Sequence, residues 1–138
     1  MKINRFISYC LVFILFSCMP LNVVAETADI VQPRFTYLDG VAAGLSIDNT
    51  WGIATCSGNT STSYNRNVKV VVRLLQLNNG TWQILRSWQG TGPMTCEASG
   101  SCAVARGYTY RTSVIAYVYN SDGTIAESGQ AQQTVFFP

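Results

Sequence analysis

The carboxylates Asp39, Asp48, Glu97, Asp122 and Glu127 are the first candidates for acid–base work, because the 138-residue chain has no histidine. Glycoside hydrolysis needs two carboxyls that face each other across a cleft at about 5–10 Å. Here they fall mostly in predicted turns, where acidic side chains bond their own backbone. Without histidine, Ser-His and Cys-His nucleophiles and histidine-ligated metal sites are excluded. A Ser-Lys dyad would require Lys69, which strand alternation puts on an open face. Asn120-Ser121-Asp122-Gly123 has the outline of a calcium loop, but the glutamate at its twelfth position is absent; a hairpin turn accounts for it. The residues therefore predict no enzyme, no metal and no cofactor.

Cysteine is the other reactive type. Of five, Cys10 and Cys18 precede residue 26, which leaves Cys56, Cys96 and Cys102. Cys96 and Cys102 flank Glu97-Ala98-Ser99-Gly100-Ser101, and Gly100 would let such a loop close. A Cys96–Cys102 disulfide is the expected pairing, contributing about 2–3 kcal/mol by loop-closure entropy. Cys56–Cys102 is the alternative. The left-over thiol, expected at Cys56, fits a small core residue; a free reactive cysteine is the sharper alternative.

What must position these groups is a short secreted domain. Met1, Lys2 and Arg5 begin a basic region, an apolar run spans Phe6 to Met19, and Val23-Val24-Ala25 is a small-residue exit. Together they form a secretory signal over residues 1–25, cleaved after Ala25, and too short for a membrane span. Leu15-Phe16-Ser17-Cys18 outlines a competing lipobox with lipidation at Cys18, but Phe16 stands where a small residue is preferred. Either route makes the product extracytoplasmic. Loss of Lys2 and Arg5 from nine basic residues leaves seven, against seven acidic ones. A neutral domain, residues 26–138, has no footprint for nucleic acid or anionic lipid.

That domain alternates with period two, in runs rich in Val, Ile, Thr and Tyr between Gly/Asn/Ser clusters. Strands are predicted around 35–38 and 44–47, then at 51–57, 68–77, 81–89, 101–106, 108–120 and 124–137. Asn78-Asn79-Gly80 is a hairpin turn; 58–67 and 90–100 are predicted loops. Val68, Val70, Val72 and Leu74 face inward because Lys69 and Arg73 alternate with them. Tyr110, Thr112, Val114, Ala116 and Val118 follow the same rule. Gly52, Ala54, Cys56 and Gly58 share a small-residue face that could admit Trp82 or Trp88 from across the core.

Seven or so strands at this spacing predict an all-β fold, a single immunoglobulin-like antiparallel β-sandwich. Arg106-Gly107-Tyr108-Thr109-Tyr110, ahead of the alternating run, resembles the tyrosine corner of immunoglobulin and fibronectin type III domains, with Tyr110 in that role. In that plan strands 68–77 and 108–120 share one sheet. Its outer face would carry Arg73, Leu75, Arg111, Ile115, Tyr117 and Tyr119, the aromatic, aliphatic and guanidinium mixture of a binding surface. Trp82 and Trp88, six apart, would share a face of a regular strand, in the core or as a sugar-stacking platform.

The chain also resembles a group of small secreted proteins of Gram-positive bacteria that carry a domain of unknown function. The matching residues are Gln32-Pro33-Arg34, Ala42 to Ile47, Ala54 to Gly58, Leu75-Gln76 with Trp82 and Trp88, and Gly107 to Arg111. The resemblance implies class and compartment and no activity; Cys96 and Cys102 lie outside its pattern. The expected function is a non-enzymatic secreted interaction module that binds a protein or cell-surface polymer. Its alternative is a structural, self-associating matrix or coat component, pairing by that face or by an edge such as Gln130 to Phe137.

Overall fold

Burial alternates residue by residue along most of four strands, Ile53–Ser61, Asn67–Asn78, Thr95–Ala103 and Tyr108–Tyr119, and this sorts each into an inner and an outer side. In chain order the strands are β1 (Gly40–Asp48), β2 (Ile53–Ser61), β3 (Asn67–Asn78), β4 (Thr81–Pro93), β5 (Thr95–Ala103), β6 (Tyr108–Tyr119) and β7 (Ile125–Phe137). The computed structural model describes residues 34–138. The signal, its cleavage after Ala25 and lipidation at Cys18 lie outside the described residues. Two antiparallel sheets, β1-β2-β5 and β4-β3-β6-β7, form an immunoglobulin-like sandwich with the fibronectin type III strand order.

The predicted inward sets are the core. Val70, Val72, Leu74, Thr112, Val114 and Ala116 are wholly inaccessible, as are Ala54 and Cys56 on β2. Tyr110 closes one end as a tyrosine corner. Its hydroxyl donates to the Ala105 carbonyl at 2.8 Å and accepts the Ala105 N–H at 3.0 Å. The β3–β4 turn has Asn79 at φ 50° and Gly80 at φ 78°, the left-handed conformations that a two-residue hairpin turn demands.

The start of one predicted loop and nearly all of the other are strand, while 62–66 form a loop as expected. β2 runs on through Gly58 to Ser61, because its polar end has partners: Thr60 donates to the Gly40 carbonyl at 2.7 Å. The expected loop 90–100 holds the end of β4 and most of β5, joined at Met94. Its glycines mark close approach, not turning. A Cβ at Gly90 would stand 2.1 Å from the Glu97 carbonyl oxygen, and one at Gly92 2.5 Å from that of Thr95. In consequence β5 starts at Thr95 and ends at Ala103, not at Arg106.

Residues 35–38 form no strand. Glu127 holds them instead, its carboxylate accepting the N–H groups of Thr36, Tyr37 and Leu38 at 2.7, 2.7 and 2.8 Å. Burial pushes the Glu127 carboxyl upward, but the three N–H donors outweigh it and set it below the usual glutamate range. Phe35 then lies over Gly129, where a Cβ would come within 2.7 Å of its ring.

The expected Cys96–Cys102 disulfide is ruled out by geometry. Both residues sit on β5, six positions apart, which is about 20 Å along an extended strand, whereas bridged cysteines need their Cα atoms within about 7 Å. The three cysteines among the described residues are free thiols. Cys56 opposes Gly100 and Cys102 opposes Ala54, so these two lie diagonally on the inner side. Burial raises both the Cys56 and the Cys96 thiol above the ordinary value.

The tryptophans also part company. The register pairs Leu77 with Trp82 and Leu75 with Ile84, then Leu74 with Arg86 and Val72 with Trp88, leaving Leu85 without a partner. The hairpin turn dictates the register on one side of this bulge and the core dictates it on the other, so Leu85 absorbs the mismatch. Trp82 therefore shares the outer side with Leu77, and Trp88 the inner side with Val72. Trp88 packs against the core. The small residue that admits its ring is Gly100 of β5, where a Cβ would stand 2.0 Å from the indole. Gly58 on β2 is filled by Val72 and Val114 instead.

Candidate functional site

The outer side of the four-stranded sheet is built by the same alternation that builds the core. On β3 the outward residues are Lys69, Val71, Arg73, Leu75 and Leu77; on β6 they are Arg111, Ser113, Ile115, Tyr117 and Tyr119. All are half-buried by their neighbours. Cross-strand register joins them into rows: Lys69 with Tyr117, Val71 with Ile115, Arg73 with Ser113 and Leu75 with Arg111. Arg73, Leu75, Arg111, Ile115, Tyr117 and Tyr119 thus lie on one surface, as predicted.

The flanking strands enlarge that surface with Trp82, which the sequence left between core and sugar-stacking platform, and with three aliphatic or aromatic residues it did not assign to the face. Through the Leu85 bulge, β4 contributes Trp82 and Ile84. β7 contributes Phe136, opposite Thr109, and Ile125, opposite Tyr119. Phe136, Ile84 and Ile125 are the most open, at 60%, 56% and 55% exposure. Phe136 was available from alternation with Thr134. Ile125 was not, because a second bulge between Val118 and Tyr119 resets the register there.

Arg111 is the best-fixed charge on the face. Its Nε donates to Thr134 Oγ1 at 3.0 Å, and its guanidinium carbon lies 4.0 Å from the centre of the Trp82 ring. A cation over an indole face is held by the ring quadrupole, so Arg111 and Trp82 brace each other on the outer side. Leu75, Leu77 and Ile84 surround this pair.

The carboxylates do not converge. Asp48 accepts the N–H groups of Thr50 and Trp51 at 2.7 and 3.0 Å. Asp39 accepts from the Ser61 and Ser63 hydroxyls, Glu97 stands on β5, and Glu127 clamps residues 36–38. Asp122 accepts the Thr124 hydroxyl at 2.6 Å and its N–H at 3.0 Å, and these bonds hold its carboxyl below the ordinary value. Beside this turn, Arg66 donates to Asn120 Oδ1 at 2.5 Å and lies over the Tyr37 ring at 4.4 Å. A guanidinium so placed opposes a cation at the turn. Among the described residues no group of three or more Cys, Asp or Glu side chains is gathered as a metal site, and no helix is long and apolar enough to cross a membrane.

The fold and face define an immunoglobulin-like domain whose four-stranded sheet presents an aromatic and cationic outer surface. Among solved structures, it is similar to AggA, the major subunit of aggregative adherence fimbriae type I from Escherichia coli. The likeness has 12% identity and a TM-score of 0.33, and covers 70% of this chain and 93% of that one. No protein-family model matches the chain, and no curated protein matches it.

Proposed function

We propose that the protein is a secreted, non-enzymatic interaction module that holds a protein or cell-surface polymer on the outer face of β4-β3-β6-β7. The observation that carries this reading is the set of open side chains at both ends of the face, Phe136 and Ile84 with half-buried Trp82 at one and Ile125 at the other. Half-buried Val71, Ile115, Tyr117 and Tyr119 lie between them, with Lys69, Arg73 and Arg111 among them. Contiguous apolar surface of several hundred Å² on a domain normally marks a contact site. Aromatic residues with arginine are the side chains that dominate such contacts.

Co-sedimentation of residues 26–138 with purified bacterial cell walls tests the reading. Pelleting that Tyr117→Ala or Tyr119→Ala abolishes, at unchanged melting temperature, supports it. Protein that stays in the supernatant removes the wall as the polymer, and pelleting unaffected by either change moves the site off this face. The protein spun alone separates wall binding from self-association.

A further inference from the structure

We infer that the outer face takes a linear anionic glycan, a sugar polymer with carboxylate or sulfate groups along its length. This rests on the binding-face reading above and adds the partner's chemistry. The first argument is charge. Lys69 lies between Thr91 and Tyr117, Arg73 between Ser87 and Ser113, and Arg111 between Leu75 and Thr134. Every cross-strand neighbour of the three cations is uncharged. The described acids are elsewhere: Asp39, Asp48 and Glu97 belong to the other sheet and its approach, Asp122 to a turn, and Glu127 to the clamp on residues 36–38. A domain of balanced composition thus presents a field of one sign on this side.

The second argument is spacing. Lys69 and Arg73 are four residues apart on one strand, about 13 Å. Arg111 lies opposite Leu75, about 7 Å further along and one strand over. The cations therefore form a line about 20 Å long on an open sheet, which suits an extended chain better than a point ion.

The third argument is the rings interleaved with that line. Tyr117 is directly opposite Lys69, and Trp82 is stacked with Arg111. The C–H-rich face of a sugar ring packs on the electron-rich face of an aromatic ring, while guanidinium and ammonium groups take the acidic substituents. An acidic peptide would use the cations and have no need of the rings. Duplex DNA presents phosphates with its sugar and base faces turned away.

Titration of the purified protein with polygalacturonate tests this, alongside its methyl ester (sugar kept, charge removed), polyglutamate and duplex DNA (charge kept, sugar faces removed or hidden). Polygalacturonate should bind best, and esterification should weaken it about tenfold or more. Lys69→Gln/Arg73→Gln should lose about tenfold, the sum of two surface ion pairs. Trp82→Ala should lose several-fold, and Arg86→Gln, off the line, should lose nothing. Each variant is checked for an unchanged melting temperature. Equal binding of the methyl ester, of polyglutamate or of DNA overturns the inference, as does no binding of polygalacturonate. If that happens while wall pelleting still depends on Tyr117 and Tyr119, only the partner chemistry falls and the binding face stands.

Discussion

Replacing Glu127 tests how the approach to β1 is held. Among the described residues its carboxylate is the sole partner of three consecutive N–H groups, at 2.7–2.8 Å. A hydrogen bond to a charged acceptor is worth about 1.5–3 kcal/mol when sheltered, but Thr36 is exposed and Glu127 half-exposed, so water takes back part of this. We expect Glu127→Ala to cost about 2–3 kcal/mol and Glu127→Gln, which keeps one acceptor oxygen, about 1–2 kcal/mol. For a domain of this size the alanine variant should melt roughly 10 °C lower. Urea unfolding followed by tryptophan fluorescence measures both. The pH dependence has a definite sign. Because the folded carboxyl titrates below the ordinary glutamate value of about 4.3, its stabilisation is complete above that value. It is lost as pH falls through the lower folded value. The gap between wild type and Glu127→Gln should therefore be full at pH 7 and close in acid. A cycle with Phe35→Ala adds a local readout: Phe35 rests on Gly129 only while the clamp holds, so its truncation should cost less in Glu127→Ala. Equal stability of wild type and Glu127→Ala at pH 7, or a Phe35→Ala cost indifferent to residue 127, would refute the clamp.

Gly58→Ala should destabilise by about 1–3 kcal/mol through overpacking, since its Cβ would come within 2.8 Å of methyls of Val72 and Val114; denaturant midpoints measure this. Tyr110→Phe should cost about 1–2 kcal/mol, because Ala105 loses both partners of its backbone while its exposure lets water replace them in part. Thermal unfolding at matched pH will show whether it does. Trp88→Ala should cost about 3 kcal/mol or more and Trp82→Ala under about 1 kcal/mol, and iodide should quench Trp82 emission in a Trp51→Phe/Trp88→Phe background. The reverse order of stability costs would place the bulge wrongly.

Period-two alternation carried most of the architecture into view. Lys69 and Arg73 betrayed the inner side of β3, Arg111 and Ser113 that of β6, and the strand order followed from the tyrosine corner. Composition failed where side chains were small. Gly90, Gly92 and Gly100 looked like turn residues, yet each lets one sheet approach the other, a requirement that is set by the opposite sheet and leaves no local trace. The Cys96–Cys102 pairing fell with that loop. Most of the candidate face was legible on β3 and β6, where alternation is unbroken. On β4 and β7 it was obscured by single unpaired residues, which shift the phase of everything beyond them. Glu127 was hidden for another reason: its partners are backbone groups about 90 residues away, which carry no sequence signature.

The two bulges also bear on how crowded molecules of this kind avoid one another. β4 and β7 are the margins of the four-stranded sheet, and margins offer unpaired backbone groups on which a second sheet can grow. Each margin here carries its bulge within the ladder, at Leu85 on β4 and between the partners of Val118 and Tyr119 on β7. A bulge interrupts the regular spacing of donors and acceptors and increases the local twist, so an incoming strand can match only part of either margin. Pro93 closes β4 and Pro138 follows β7, removing a further donor from each. Growth of a second sheet from these two margins is thereby disfavoured, which leaves the outer face between them as the contact surface of this sheet.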